Sequence, residues 1–154
     1  MKPRLTLIAL MLGAAGLTSN AAFAQQKVVI AYISDISGTY GDLEGKGGAD
    51  AIQMAIDDMG GKVLGQPVEL LVADHQNKAD IAASKAREWI DTAGATLVFG
   101  GTNSGTALAM AKISQEKKRI FVTNGAASSA LTNAQCSPYT VHYAYDTVAL
   151  ARGT

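Results

Sequence analysis

The sequence predicts an α/β fold in which helices cover both faces of a parallel β-sheet. Four short apolar runs, rich in β-branched residues, are typical of strands buried on both faces: residues 28–33, 68–73, 96–99 and 120–122. Segments with the apolar spacing of amphipathic helices separate these runs. The resulting order β-α-β-α-β-α-β indicates a Rossmann-like sheet wound by right-handed crossovers.

The helical segments follow in order along the chain. Apolar residues at helical spacing in the first segment are Ala49, Ile52, Ile56 and Met59. Those in the second segment are Ala82, Ala86, Trp89, Ile90 and Ala93. A third helix is predicted from about Ser104 to Lys118, with basic residues at the negative end of its dipole. We expect Gly60, Gly61 and Gly94 to end the first two helices, as glycine often does.

The first residues have the pattern of an export signal. Lys2 and Arg4 precede an apolar run from Leu5 to Leu17, and Ala22-Phe23-Ala24 has the form of a cleavage site. A membrane anchor is the alternative, but the run is shorter than the about 20 apolar residues that span a bilayer. The sequence therefore predicts a secretory signal peptide over residues 1–24, cleaved after Ala24.

The charge balance and the cysteine content limit the partners of the mature chain. With Lys2 and Arg4 removed, 11 of the 13 basic residues remain against 13 acidic residues, which is a net charge of −2. No basic stripe is present to attract phosphate backbones, so we expect no nucleic acid partner. Cys136 is the single cysteine and cannot form a disulfide within this chain, so it is either a free thiol or paired with a cysteine outside this chain.

Ligands of open parallel sheets bind beyond the carboxyl ends of the strands, where loops lead into helices. The candidate loops are Ser34–Glu44, Gly100–Thr106 and Thr123–Thr132. In the second loop, Thr102, Asn103 and Ser104 lie at a helix N-terminus, which attracts anions such as a carboxylate. These residues can also simply cap their own helix. The small residues of the third loop would let a ligand approach the main chain, although a surface loop without a role is the alternative.

Several patterns argue against catalysis and against a bound cofactor or metal. The segment Gly41–Gly47 lacks the glycine spacing and the hydroxyl residue of a phosphate-binding P-loop, and Gly100–Gly105 lacks the dinucleotide spacing. His75 and His142 stand apart from other metal ligands, except for Asp74 beside His75. We expect Asp74 and His75 to form a solvated turn. The sequence thus predicts a protein that is not an enzyme.

Four segments, in their order and spacing, resemble a known family. They are Ser37–Gly41, Ala73–Asn77, Gly100–Gly105 and Thr123–Thr132. Together they resemble the type I periplasmic solute-binding proteins of the leucine, isoleucine and valine (branched-chain amino acid ABC transporter) family, over about residues 27–154. The resemblance implies two α/β lobes that close on a ligand about a hinge. It also implies an N-terminal fragment, with an incomplete lobe at 25–142 and the first crossover and start of the second lobe at 143–154.

The resemblance also implies ligand-binding residues. Ser104 matches a serine that holds the ligand α-carboxylate, beside Thr102 and Asn103. Gly125, Ala126 and Ala127 lie in the segment that meets the ligand through backbone and hydroxyl groups, and Tyr40 matches an aromatic residue near the ligand side chain. Two positions depart from the family pattern: Ala127 stands where threonine is typical, and Asn124 where proline is frequent.

These departures loosen the ligand prediction, because a site that pairs polar groups is selective through those pairings. The segment Cys136–Tyr143 also resembles a branch of the family associated with aromatic acids. We therefore expect the periplasmic substrate-binding component of an ABC importer for branched-chain amino acids or related small carboxylates, including aromatic acids, with membrane permease subunits as partners. The alternatives are a nucleotide-dependent α/β enzyme and a nonfunctional truncated gene product. We also expect that the disulfide partner of Cys136 lies outside this chain.

Overall fold

The computed structural model describes residues 27–154, so the predicted signal peptide lies outside the described residues. The strands are β1 (Val28–Ser34), β2 (Lys62–Val63), β3 (Gln66–Asp74), β4 (Leu97–Gly100), β5 (Ile120–Thr123) and β6 (Thr140–His142). The α-helices are α1 (Gly45–Asp58), α2 (Ala79–Thr92), α3 (Ser104–Lys117) and α4 (Thr147–Gly153), with a 3₁₀ turn at Ser129–Leu131. The four predicted strands and three predicted helices are confirmed. The elements β2, β6, α4 and the 3₁₀ turn were not predicted.

The strands form one sheet in the order β2-β3-β1-β4-β5-β6. Strand β1 lies parallel to β3 and β4, and the ladder continues in parallel through β5 to β6. The Rossmann-like parallel sheet is therefore confirmed. The short edge strand β2 is antiparallel to β3, and a two-residue turn of Leu64 and Gly65, both with positive φ, joins them.

Helices lie on both faces of the sheet, as predicted. On one face, Ala31 and Ile33 of β1 pack in the main core with residues of α2 and α3 such as Ala86 and Met110. On the other face, Tyr32 points toward α1, and its hydroxyl donates to the Glu44 carbonyl at 2.8 Å. Each of the three β1 side chains is 0% exposed, so β1 is the strand from which both layers are built.

Burial on both faces does not extend across the whole sheet. On β5, Phe121 is 0% exposed whereas the adjacent Ile120 is 51% exposed, and Val141 on β6 is 48% exposed. The prediction that every apolar run is buried on both faces is therefore wrong for β5, and also for Val72 of β3, which is 43% exposed. Helix α1 packs mainly against β3 and leaves the β5 end of that face open.

The helix ends follow the sequence pattern. Gly60, Gly61 and Gly94, just beyond the ends of α1 and α2, have φ values of 73°, 70° and 71°, and the predicted end points are confirmed. Helix α3 ends at Lys117, and its C-cap residue Lys118 has a left-handed φ of 53°. Among the helices within residues 27–154, none combines the length and apolar character needed to cross a membrane.

Candidate functional site

The carboxyl ends of β1 and β4 form the centre of the site. The chain leaves β1 toward β3 on one side and later returns to β4 on the other. Such a reversal of strand order opens a crevice at the carboxyl edge of a parallel sheet, and ligands of open α/β folds bind there. The loops after β1, β4 and β5 surround this edge.

The floor of the crevice is main chain. Gly100 has a φ of 130°, and a Cβ atom at this position would lie 2.3 Å from the Ile33 carbonyl oxygen. Any side chain would therefore push β4 away from β1, since both the backbone angle and the contact require glycine. The close approach of the two strands brings their following loops to the same point.

An internal carboxylate shapes the loop after β1. Asp35 is fully buried, and its two oxygens accept from the N–H groups of Gly38 at 3.0 Å and Tyr40 at 2.9 Å. Backbone N–H groups are suitable partners for a buried carboxylate because they compensate for lost hydration. This arrangement fixes the main chain of Tyr40, whose side chain is half-buried.

Asp74 ties the end of β3 to the same loop. Its carboxylate accepts from the N–H groups of Ile36 at 3.0 Å and Gln76 at 2.8 Å, and from the Ser37 hydroxyl at 2.5 Å. Burial opposes ionisation and is the largest single influence, but the hydrogen bonds together outweigh it and lower the pKa of Asp74 below its ordinary value. Asp74 therefore acts as an ionised brace between two loops.

The solvated turn expected at Asp74 and His75 is wrong for His75, which is 0% exposed. Its Nδ1 accepts from the Asn77 N–H at 3.0 Å, so the neutral ring carries its proton on Nε2. Burial lowers the pKa of His75 below 6.5, against the opposing influence of Asp35, Glu44 and Asp74. A neutral imidazole can be buried at a lower cost than a charged one, which explains the difference from the expectation.

The turn between β4 and α3, residues 101–103, is called the crevice turn here, and it combines helix capping with free hydrogen-bond donors. Asn103 Oδ1 accepts from the N–H groups of Gly105 at 2.7 Å and Thr106 at 3.3 Å, so the capping interpretation holds for Asn103. The half-buried Ser104 begins the helix. Its hydroxyl and its N–H have no hydrogen-bond partner within the part of the chain that the structure describes.

Glu44 joins the first loop to this turn. Its side chain is 6% exposed, and Oε1 accepts from the Thr102 N–H at 2.8 Å. The two residues are 58 positions apart in sequence. Glu44, Asp35 and His75 were not predicted as site residues, because only the folded arrangement shows that their side chains turn inward.

The third loop packs against the second. A Cβ atom on Gly125 would lie 3.0 Å from Thr102 Oγ1, and the Thr123 hydroxyl donates to the Gly101 carbonyl at 3.0 Å. Gly125 is thus small where it meets Thr102. The structure brings Thr102, Asn103, Ser104 and Gly125 together, and Tyr40 is connected to them through Glu44, whose N–H donates to the Tyr40 carbonyl at 3.3 Å.

The backbone carbonyls of two predicted site residues, Ala126 and Ala127, are hydrogen-bonded to residues that follow the third loop. The buried Ala126 bonds through its carbonyl to His142 Nε2 at 2.6 Å, and the Ala127 carbonyl accepts from the Thr147 N–H at 2.8 Å. The Tyr143 N–H donates to the Thr123 carbonyl at 2.8 Å. These bonds attach β6 and the segment after it to the third loop.

Three loops at the carboxyl edge of a parallel sheet, with free donors at a helix N-terminus, define an α/β lobe of the small-molecule-binding class. Within residues 27–154, no three His, Cys, Asp or Glu side chains are arranged to hold a metal ion. The chain belongs to the periplasmic binding protein family, whose profile matches residues 27–154. No curated protein matches the chain.

Solved structures agree with this family. A periplasmic binding protein from Burkholderia mallei is 60% identical, with a TM-score of 0.81, over 83% of this chain and 34% of its own. A branched chain amino acid ABC transporter periplasmic ligand-binding protein from Burkholderia xenovorans is 39% identical, with a TM-score of 0.75, over 82% of this chain and 36% of its own.

A third structure shares the fold. It is an ABC transporter solute-binding protein from Rhodopseudomonas palustris in complex with 3,4-dihydroxybenzoic acid, 24% identical with a TM-score of 0.71, over 78% of this chain and 32% of its own. The chain therefore spans about a third of the length of these structures. The first two relatives are periplasmic binding proteins, and the fold is that of one lobe of such a protein.

Proposed function

We propose that this chain supplies the N-terminal lobe of the substrate-binding component of an ABC importer. The mature protein works in the periplasm after cleavage following Ala24, performs no catalysis, and passes its ligand to membrane permease subunits. The observation that carries the proposal is the start of α3, where Ser104 presents a hydroxyl and an N–H that no other described residue uses. Membership of the periplasmic binding protein family supports the importer role.

A carboxylate is the ligand group that best fits the start of α3. The positive end of a helix dipole and its free N–H groups attract anions. Asn103 already satisfies the N–H groups of Gly105 and Thr106, which leaves Ser104 as the donor for a ligand. Gly125 contributes no side chain beside Thr102, which lets the third loop pack closely against the start of α3.

The remainder of the ligand is a branched-chain amino acid or an aromatic acid. One relative is described as a branched chain amino acid transporter protein, and one structure of this fold holds 3,4-dihydroxybenzoic acid. These two structures support the two ligand classes. Ala127 has no hydroxyl with which to bind an ammonium or amide group, and this favours a ligand with fewer polar groups. Tyr40, which is half-buried, supplies an aromatic face for the apolar part of either ligand.

Calorimetry on the mature protein from the complete reading frame tests the proposal. Leucine, isoleucine and valine form one set of titrations, and benzoate and 3,4-dihydroxybenzoate form the other. We expect saturable 1:1 binding of at least one set. Absence of binding to both sets would contradict the proposed function.

A serine pair tests whether Ser104 carries the carboxylate contact. We expect Ser104→Ala to weaken ligand affinity about tenfold or more, since hydrogen bonds to charged groups contribute about 1.5–3 kcal/mol. Ser84→Ala is the matched control, because Ser84 is exposed on α2 and bonds only to the Ile81 carbonyl. Equal affinities of the two variants would remove Ser104 from the site.

The 154 residues alone should bind more weakly than the complete protein. A ligand that contacts two lobes favours the closed form through its differential affinity for that form. One lobe offers only part of those contacts, so we expect affinity lower by orders of magnitude. Equal affinity of the two proteins would show that this lobe holds the whole site.

A further inference from the structure

Glu44 occupies a position that its own helix does not explain. It is the N-cap residue of α1, yet its side chain makes no capping hydrogen bond. Serine, threonine, aspartate and asparagine are the preferred residues at this position because their short side chains reach the first turn. The longer side chain of Glu44 instead extends to the Thr102 N–H, in the turn that begins α3.

The main chain of Glu44 is fixed on several sides. Its carbonyl accepts from the Tyr32 hydroxyl at 2.8 Å and from the Gly48 N–H at 2.6 Å. Burial raises the pKa of Tyr32 to about 12, so the hydroxyl stays protonated and remains a donor. The carboxylate of Glu44 therefore begins from a rigid point on the α1 side of the sheet.

The residue that Glu44 binds, Thr102, lies in the crevice turn. Thr102 lies directly before the capping residue Asn103 and two positions before Ser104. On its other side, Thr102 contacts Gly125 of the third loop. The Thr102 N–H donates to a buried side-chain oxygen of Glu44 at 2.8 Å, and a hydrogen bond is stronger in the protein interior than in water. This bond connects the first loop to the second, and Thr102 connects the second to the third.

We infer that Glu44 is a positioning residue for the ligand, which sets the β4–α3 turn so that Ser104 faces the crevice. The inference rests on the proposed function, because the ligand contact itself belongs to Ser104. What Glu44 contributes is reach and an acceptor oxygen, and both are properties of side-chain length and shape. A glutamine retains them without the charge, whereas an aspartate retains the charge but is one methylene shorter.

Three variants of the mature protein from the complete reading frame test the assignment: Glu44→Gln, Glu44→Asp and Glu44→Ala. The first readout is hydrogen exchange of the Thr102 amide, with the Val98 amide in β4 as an internal reference. The second is ligand affinity by calorimetry. Asp50→Ala is the control on α1, because Asp50 is exposed and pairs only with Lys46.

We expect Glu44→Asp and Glu44→Ala to accelerate exchange at Thr102 about tenfold or more while Val98 is unchanged, and to weaken binding by a similar factor. Glu44→Gln and Asp50→Ala should stay within about threefold of the parent protein in both measurements. If the alanine variant does not fold, the difference between Glu44→Gln and Glu44→Asp in the two measurements still tests the inference.

Two results would overturn the inference. One is unchanged Thr102 exchange in Glu44→Asp and Glu44→Ala. The other is a reversed contrast, in which aspartate preserves the turn and glutamine disrupts it, because charge and not reach would then matter. Failure of the parent protein to bind either ligand set refutes the proposed function and, with it, the ligand role of Glu44, whereas a normal parent with unaffected variants refutes the role of Glu44 alone.

Discussion

The two faces of the sheet consist of similar apolar residues but lie in different environments. On the face packed against α2 and α3, Val98 and Phe121 are 0% exposed. On the opposite face, Ile120 and Val141 are about half exposed, because α1 covers only the side of the sheet near β1 and β3. An apolar run therefore predicts a strand whose side chains can be buried on both faces of the sheet. Which of those side chains are buried depends on where the helices pack.

The largest contrast is expected between neighbours on β5. In residues 25–154, Phe121→Ala should lower the free energy of unfolding by about 3–5 kcal/mol, because it leaves a cavity in the core. Ile120→Ala should cost about 1 kcal/mol, since half of that side chain already contacts water. Urea unfolding measures both values. Equal losses would show that the open face is covered in solution.

The next contrast concerns two adjacent glycines of α1. A Cβ atom on Gly48 would lie 2.1 Å from the Tyr32 hydroxyl, whereas one on Gly47 would meet nothing within 4 Å. We expect Gly48→Ala to destabilise the chain by about 1–3 kcal/mol through overpacking. Gly47→Ala should stabilise it by up to about 1 kcal/mol through helix propensity. Thermal unfolding measures both variants. If both became more stable, the close packing of α1 against Tyr32 would be contradicted.

The buried His75, at the carboxyl end of β3, should make the stability of the chain depend on pH, unlike the apolar residues of the open face. The pKa of His75 is lower in the folded chain than its ordinary 6.5, so the unfolded chain binds the proton first as the pH falls. Stability should be full above pH 6.5 and decline below it, by at most about 1.4 kcal/mol per pH unit. His75→Gln should flatten this decline below pH 6.5 in urea unfolding. An unchanged slope would assign the effect to other groups.

The smallest effect is expected from a polar substitution on the open face. Ile120→Thr should change the free energy of unfolding by no more than about 0.5 kcal/mol, as is usual for surface positions. It should nevertheless reduce binding of a hydrophobic dye and raise the concentration at which the chain aggregates, because an exposed apolar patch becomes smaller. Phe121→Thr serves as the contrast, and it should increase dye binding by unfolding the chain.

The sequence was sufficient for the sheet and the main helices because periodicity is a local property. Strand β2 has only two residues and β6 only three, and such short strands form through pairing with neighbours more than through their own pattern. Val141 lies opposite Val122, and this long-range pairing makes β6 a strand. These contacts are not visible in a linear reading.

Part of the candidate site could also be predicted from the sequence. The polar residues Thr102, Asn103 and Ser104 between a strand and a helix indicated the crevice turn, and the structure places them there. The inward position of His75 and the contact of Glu44 with Thr102 depend on residues far apart in the chain. A polar side chain in a loop region has the same appearance in sequence whether it is buried or exposed, so these two residues required the fold.

Gly100 limits where this lobe can accept amino-acid substitutions. The floor of the crevice is backbone against backbone, with no room for a Cβ atom beside the Ile33 carbonyl. A substitution in the loop after β5, such as one at position 127, leaves this contact in place, whereas a side chain at position 100 would separate β4 from β1. The backbone contact beneath the three loops therefore tolerates changes in the loops but none at its own glycine.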